Sequence, residues 1–158
     1  MKNLLPMCLL VCACHGRSLI PEPDDCRSPS ANAEVRGLEM GWADPFTAYE
    51  NGEELRISTG GQGTPMIMLG LRIKGTDGPS CLGQHTTVTD ASGEVIGELD
   101  VPIKTYENGN FRETRGIPIL LSPGPRPGDP LTIETTAHGK TANREVYRYG
   151  ADSGGTGL

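Results

Sequence analysis

The residues of this chain that could do covalent or acid–base chemistry are five cysteines, three histidines and a set of carboxylates. Cys81 and His85 come nearest to a thiolate with a base. Thiolate chemistry needs such a neighbour, but four residues of extended strand span about 13 Å, so the pair meets only if a turn intervenes. His15, His85 and His138 include no i, i+2 pair. A metal site, or an exported hydrolase, built from His85, His138 and a carboxylate therefore depends on a spatial convergence that the spacing does not supply. No Gly-x-Ser-x-Gly occurs, and Ser153-Gly154-Gly155 sits in a glycine-rich tail, where a nucleophile would lack the rigid support that catalysis needs. Gly60-Gly61-Gln62-Gly63 has neither the lysine nor the helix of a phosphate loop and reads as a tight turn before a strand. Asp90-Ala91-Ser92-Gly93-Glu94 and Thr76-Asp77-Gly78 place oxygen ligands on turns, without the alternating aspartates of a calcium loop; turn chemistry explains them. The expectation is no catalytic residue, no metal and no cofactor.

The remaining polar and aromatic groups read as surface or core. Glu53-Glu54 alternate faces and Asp24-Asp25 are solvated charges. The aromatics Trp42, Phe46, Tyr49, Tyr106, Phe111, Tyr147 and Tyr149 are too few for an obvious sugar platform and suit packing better. Lys and Arg number 14 against 20 Asp and Glu, a net charge of −6. That balance lacks the basic footprint that meets phosphate, so nucleic acid is not an expected partner.

The N-terminus carries an address. Lys2 is followed by ten uncharged residues, Leu4 to Ala13. This is the layout of a secretory signal, too short to span a bilayer as a helix. Val11-Cys12-Ala13-Cys14 resembles the lipobox of bacterial lipoproteins: an aliphatic residue, a variable one, a small one, then cysteine. The resemblance implies that residues 1–13 are removed and that Cys14 becomes an acylated N-terminus. Ordinary secretion after Ala13 is the alternative. Either cleavage leaves Cys14, Cys26 and Cys81. With Cys14 lipidated, an even pair remains in an exported chain, and a Cys26–Cys81 disulfide is expected.

These elements hang on an all-β scaffold. Residues 14–33 are polar and Pro-rich and read as a flexible tether; residues 150–158 read as a flexible tail. Between them, 34–149 form one domain of short β-prone runs separated by turn dipeptides. Eight strands are predicted: 34–42, 54–58, 66–74, 84–89, 94–104, 111–121, 131–138 and 141–149. The spacing predicts an antiparallel two-sheet β-sandwich. Gly128-Asp129-x-Leu131-Thr132-Ile133 resembles the penultimate hairpin of immunoglobulin-like domains. The run from Tyr49 through Gly60-Gly61-Gln62-Gly63 to Leu69-Gly70-Leu71-Arg72-Ile73 resembles a pattern in uncharacterised exported lipoproteins. These resemblances imply fold and location and nothing about chemistry; with no catalytic constellation in the sequence, the expected function is a non-catalytic envelope module. Its partners would be a membrane, reached through a lipid anchor at the outer membrane or periplasmic face, and an envelope protein. The alternative is a soluble secreted β-sandwich that binds carbohydrate or Ca²⁺.

Overall fold

A computed structural model describes Cys26, Pro29, residues 34–75 and residues 77–148. The expectations for the leader, for lipidation of Cys14, for most of the tether and for the tail lie outside these residues, as does His15. The described chain is all-β. Its strands are β1 Leu38–Trp42, β2 Thr47–Ala48, β3 Glu53–Leu55, β4 Ser58–Thr59, β5 Pro65–Lys74, β6 Cys81–Asp90, β7 Val95–Asn108, β8 Phe111–Thr114, β9 Ile117–Leu120, β10 Pro130–Ala137 and β11 Lys140–Arg148.

The described residues depart from the expectation of about eight antiparallel strands in three respects. They form eleven strands. They lie on one hydrogen-bonded path, β2-β1-β5-β8-β7-β6-β10-β11-β3, with β4 and β9 also paired to β5. One pair, β11 with β3, is parallel. Each extra strand has a local cause. The run predicted at 54–58 divides because Glu53–Leu55 pairs with β11 whereas Ser58–Thr59 pairs with β5. The run predicted at 111–121 divides at Arg115-Gly116, where the chain stops pairing with β7 and continues along β5 alone. The short β2 exists because Gly41 lets it approach: a Cβ there would lie 2.0 Å from the Thr47 carbonyl oxygen.

Strand β5 is the centre of one half, flanked by β1 and β4 as well as β8 and β9. Its alternation places Ile67, Leu69, Leu71 and Ile73 in the core, all at most 1% exposed, while Met66, Met68 and Arg72 are half-buried on the other face. Burying an aliphatic side chain of this size contributes about 1.5–3 kcal/mol, so this face is a principal source of stability. Leu82 and Val88 of β6, Leu131 and Ile133 of β10, Val146 of β11, and Ile117 and Ile119 of β9 complete the core. Strand β7 spans both halves. Its residues 95–104 pair with β6, and Thr105–Asn108 pair with β8. A bulge against Val88 and Thr89 sits near its start.

The turns follow from their residues. The β7–β8 turn places Gly109 at φ 59°, the positive value that a two-residue hairpin loop requires. The β10–β11 turn uses His138 at φ 47° and Gly139 at φ 74°, a left-handed pair whose twist matches that of the strands. Gly60 and Gly63 close the turn before β5 through Gly63 N–H to the Gly60 carbonyl, 2.9 Å.

Between the two ends of the path, Trp42 Nε1–H of β1 donates to Glu53 Oε1 of β3 at 2.7 Å, and the Glu50 amide donates to Glu53 Oε2 at 3.0 Å. Tyr49 lies edge-on to Trp42, ring centroids 5.3 Å apart, and is buried. Burial, and secondarily the Glu53 carboxylate, push the Tyr49 phenol well above its usual range. A raised acid gives stability that is fully present below the unfolded phenol's value, near 10. It is lost as pH rises through that value toward the folded one. The unfolding free energy of Tyr49→Phe should therefore decline less than that of the native chain between pH 9 and 11, as measured by urea unfolding. Equal declines would count against a buried neutral phenol.

Candidate functional site

The side chains that sequence reasoning weighed for catalysis are deployed elsewhere. Cys81 is bonded to Cys26, with their Cα atoms 5.4 Å apart, so it is not a thiolate poised for attack. Pro29 packs onto the same strand, in contact range of Gly83, where a Cβ would come within 2.8 Å of its ring. His85 is half-buried and its Nε2 lies 3.8 Å from Glu98 Oε1 of β7. His138 serves the β10–β11 turn, its Nε2 buried without a partner among the described residues. No group of three or more His, Cys, Asp or Glu converges among the described residues. Asp90 is occupied within its own loop: its Oδ1 accepts from the Ser92 hydroxyl at 2.6 Å and from the amides of Ser92 and Glu94. These bonds, the Ser92 hydroxyl first, hold its carboxyl below the usual range.

The structure instead gathers charge and aromatic rings where β7 and β8 meet. Arg112, 8% exposed, is the hub. Its Nε donates to Thr105 Oγ1 at 2.8 Å, its Nη2 to the Thr105 carbonyl at 2.9 Å and its Nη1 to Glu107 Oε1 at 2.9 Å. The Thr105 hydroxyl in turn donates to the Pro79 carbonyl. One residue on, Glu113 accepts from Arg72 Nε at 2.7 Å and from the Asn108 amide at 2.7 Å. The Arg72 guanidinium is also within 4.1 Å of the Phe46 ring centre and 4.7 Å of that of Phe111, which fixes its plane. Thr114 supplies a hydroxyl to the Leu71 amide at 2.9 Å, just where the change from β8 to β9 leaves a gap in the β5 ladder.

Two clefts flank this cluster, joined through Tyr106 and Arg115. One, of about 500 Å³, is lined by Asp44, Phe46, Asn108, Glu113 and Thr114 besides that pair. The other, of about 480 Å³, is apolar, with walls from Leu99, Val101, Ile103, Ile117 and Pro118 and with Cys26 at its border. A third, of about 370 Å³, lies between the Asp90 loop and β10. Neither His85 nor His138 lines any of the three. Arg115 stacks on the Tyr106 ring at 4.5 Å, and Lys104 lies 5.6 Å from the same ring. The two rings that line these clefts, Phe46 and Tyr106, are thus already faced by cations.

Comparison with protein-family models, curated proteins and solved structures gave no significant match. The site must therefore be read from its own chemistry. Of the sequence expectations, the structure brings together Cys26 and Cys81. Among the described residues it does not assemble a nucleophile, base and acid from the other candidates. The Arg112 hub, the Arg72 sandwich and the Arg115–Tyr106 stack carry no spacing signature. Each joins residues by register across strands, which a single sequence does not display.

Proposed function

We propose that the chain is a non-catalytic binding module of a bacterial envelope, carried on a lipid anchor at Cys14 and set off from the membrane by a tether. The single observation that carries this reading is the Cys26–Cys81 bridge, because disulfides persist in oxidising compartments outside the cytosol. It agrees with the lipobox-like Val11-Cys12-Ala13-Cys14. The immunoglobulin-like two-layer arrangement belongs to the same reading. It is supported by the way β7 gives its first part to β6 and its last four residues to β8.

The anchor has a direct test. In cells fed an alkyne fatty acid, the native chain should take up label and fractionate with membranes, and Cys14→Ala should lose the label and leave the membrane fraction. Label retained by Cys14→Ala would reject the anchor. Plain secretion would appear instead as unlabelled protein outside the cell. A single acyl chain gives only marginal attachment, so firm membrane retention of the native chain would also point to more than one chain at Cys14.

A further inference from the structure

We infer that the gap between β7 and β9 is a binding site for a single-chain anionic amphiphile of the fatty-acid type. The inference rests on the reading of the chain as a binding module, though not on its anchor. The gap is closed at both ends and open between them. At one end Thr105 pairs with Thr114. At the other the Ser122 amide donates to the Ile96 carbonyl at 2.6 Å. Between these points β7 pairs only with β6 and β9 only with β5, so among the described residues no ladder joins the two facing edges.

Proline keeps it open. Pro102 lies opposite Gly83 in the β6–β7 ladder, and Pro118 opposite Met68 in the β5–β9 ladder. A proline in a paired strand is tolerated with its nitrogen on the unpaired side, which in both strands is the side toward the gap. Each edge thus lacks a donor where the two would join. An extended peptide added to either edge would meet the same deficit, and this favours a ligand that needs no backbone partners.

The walls are apolar and belong to the inner face of the sheet. Val101 lies opposite Gln84, so the two side chains share a face. Gln84 is 3% exposed, yet Val101 is 39% exposed: the core opens to solvent at this point. Leu99, Ile103 and Ile117 extend the apolar surface. The volume, about 480 Å³, falls within the roughly 300–1,000 Å³ of small-molecule sites.

The mouth selects charge. Arg115 is exposed, held by its stack on Tyr106, and has no carboxylate partner among the described residues. Lys104 adds a second cation beside the same ring. Of the acids in the adjoining cleft, Glu113 is engaged by Arg72 and Asn108, and Asp44 does not line the apolar cleft. A guanidinium fork beside an apolar trough complements a carboxylate on an alkyl chain.

The test uses the full chain carrying Cys14→Ser, so that no acyl group of its own can enter the cleft. Titration with dansyl-undecanoate should give saturable fluorescence at one probe per chain, displaced by dodecanoate about tenfold better than by dodecanol. Arg115→Gln should abolish that preference while leaving dodecanol unchanged. Val101→Asp, at a position already open to water, should weaken both competitors at least tenfold, with the circular dichroism of the fold retained. Absence of saturable binding by the folded chain, indifference to Val101→Asp, or displacement only by an apolar peptide would each overturn the inference. A preference unaltered in Arg115→Gln would overturn the assignment of the mouth. None of these results bears on label uptake at Cys14, so failure of the site and failure of the anchor are told apart.

Discussion

Breaking the Cys26–Cys81 bond is expected to cost about 4 kcal/mol of folding stability. The two cysteines are 55 residues apart, and the chain-entropy treatment assigns a loop of that size about this much restriction of the unfolded ensemble. Cys26→Ser, Cys81→Ser and the double variant should all lose nearly the same amount, because each removes the same constraint. The native chain under reducing conditions should match them. Cys81→Ser should fall slightly lower, since Cys81 is buried in the first position of β6, whereas Cys26 is only half-buried. Urea unfolding of the oxidised, reduced and substituted chains measures all four. A loss below about 1 kcal/mol would mean that the unfolded chain is already confined without the bond. The loss matters for the cleft as well, because Cys26 lines it and is bonded to Cys81 of β6.

What the sequence disclosed and what it withheld divide along a physical line. Alternation is local, so the apolar face of 66–74 and the strands around 84–89, 94–104, 131–138 and 141–149 were legible from neighbours two residues apart. Turn chemistry is equally local, which is why Gly60-Gly61-Gln62-Gly63 read correctly as a turn. The cysteine pairing followed from counting, on the expectation that the leader is removed and Cys14 acylated. Register is not local. Nothing near Arg112 announces Thr105, and nothing near Pro102 announces Pro118. The two prolines acquire their meaning only when β7 and β9 face one another. The division of 111–121 at Arg115-Gly116 was hidden for the same reason. The residues on both sides are strand-prone, and the break comes from a change of partner.

Replacing Arg112 by Met should destabilise the fold by about 3 kcal/mol, the largest expected effect of any single polar residue here. Arg112 holds three acceptors on β7 at once: the Thr105 hydroxyl, the Thr105 carbonyl and the Glu107 carboxylate. Methionine has similar bulk but donates to none of them. The Thr105 carbonyl would then lose a partner in a buried setting, which costs about 1–3 kcal/mol. A hydrogen bond from a charged group is worth about 1.5–3 kcal/mol, so losing the two bonds to Thr105 brings the total to about 3 kcal/mol. The Glu107 end contributes little, because its side chain is 71% exposed and water replaces the bond. Glu107→Gln should accordingly cost well under 1 kcal/mol. Arg112→Lys should fall between the two, since an ammonium can reach some of the three acceptors but cannot reproduce the planar fork. Urea unfolding of the three variants orders them. If Glu107→Gln proved as damaging as Arg112→Met, the ion pair and not the buried Thr105 bonds would be the source of the stability. The position also bears on the cleft. Thr105 precedes Tyr106, and Arg112 fixes the short stretch over which β8 closes one end of the gap. Arg112→Met should therefore loosen the Arg115–Tyr106 stack and weaken dodecanoate more than dodecanol, even under conditions where the chain remains folded.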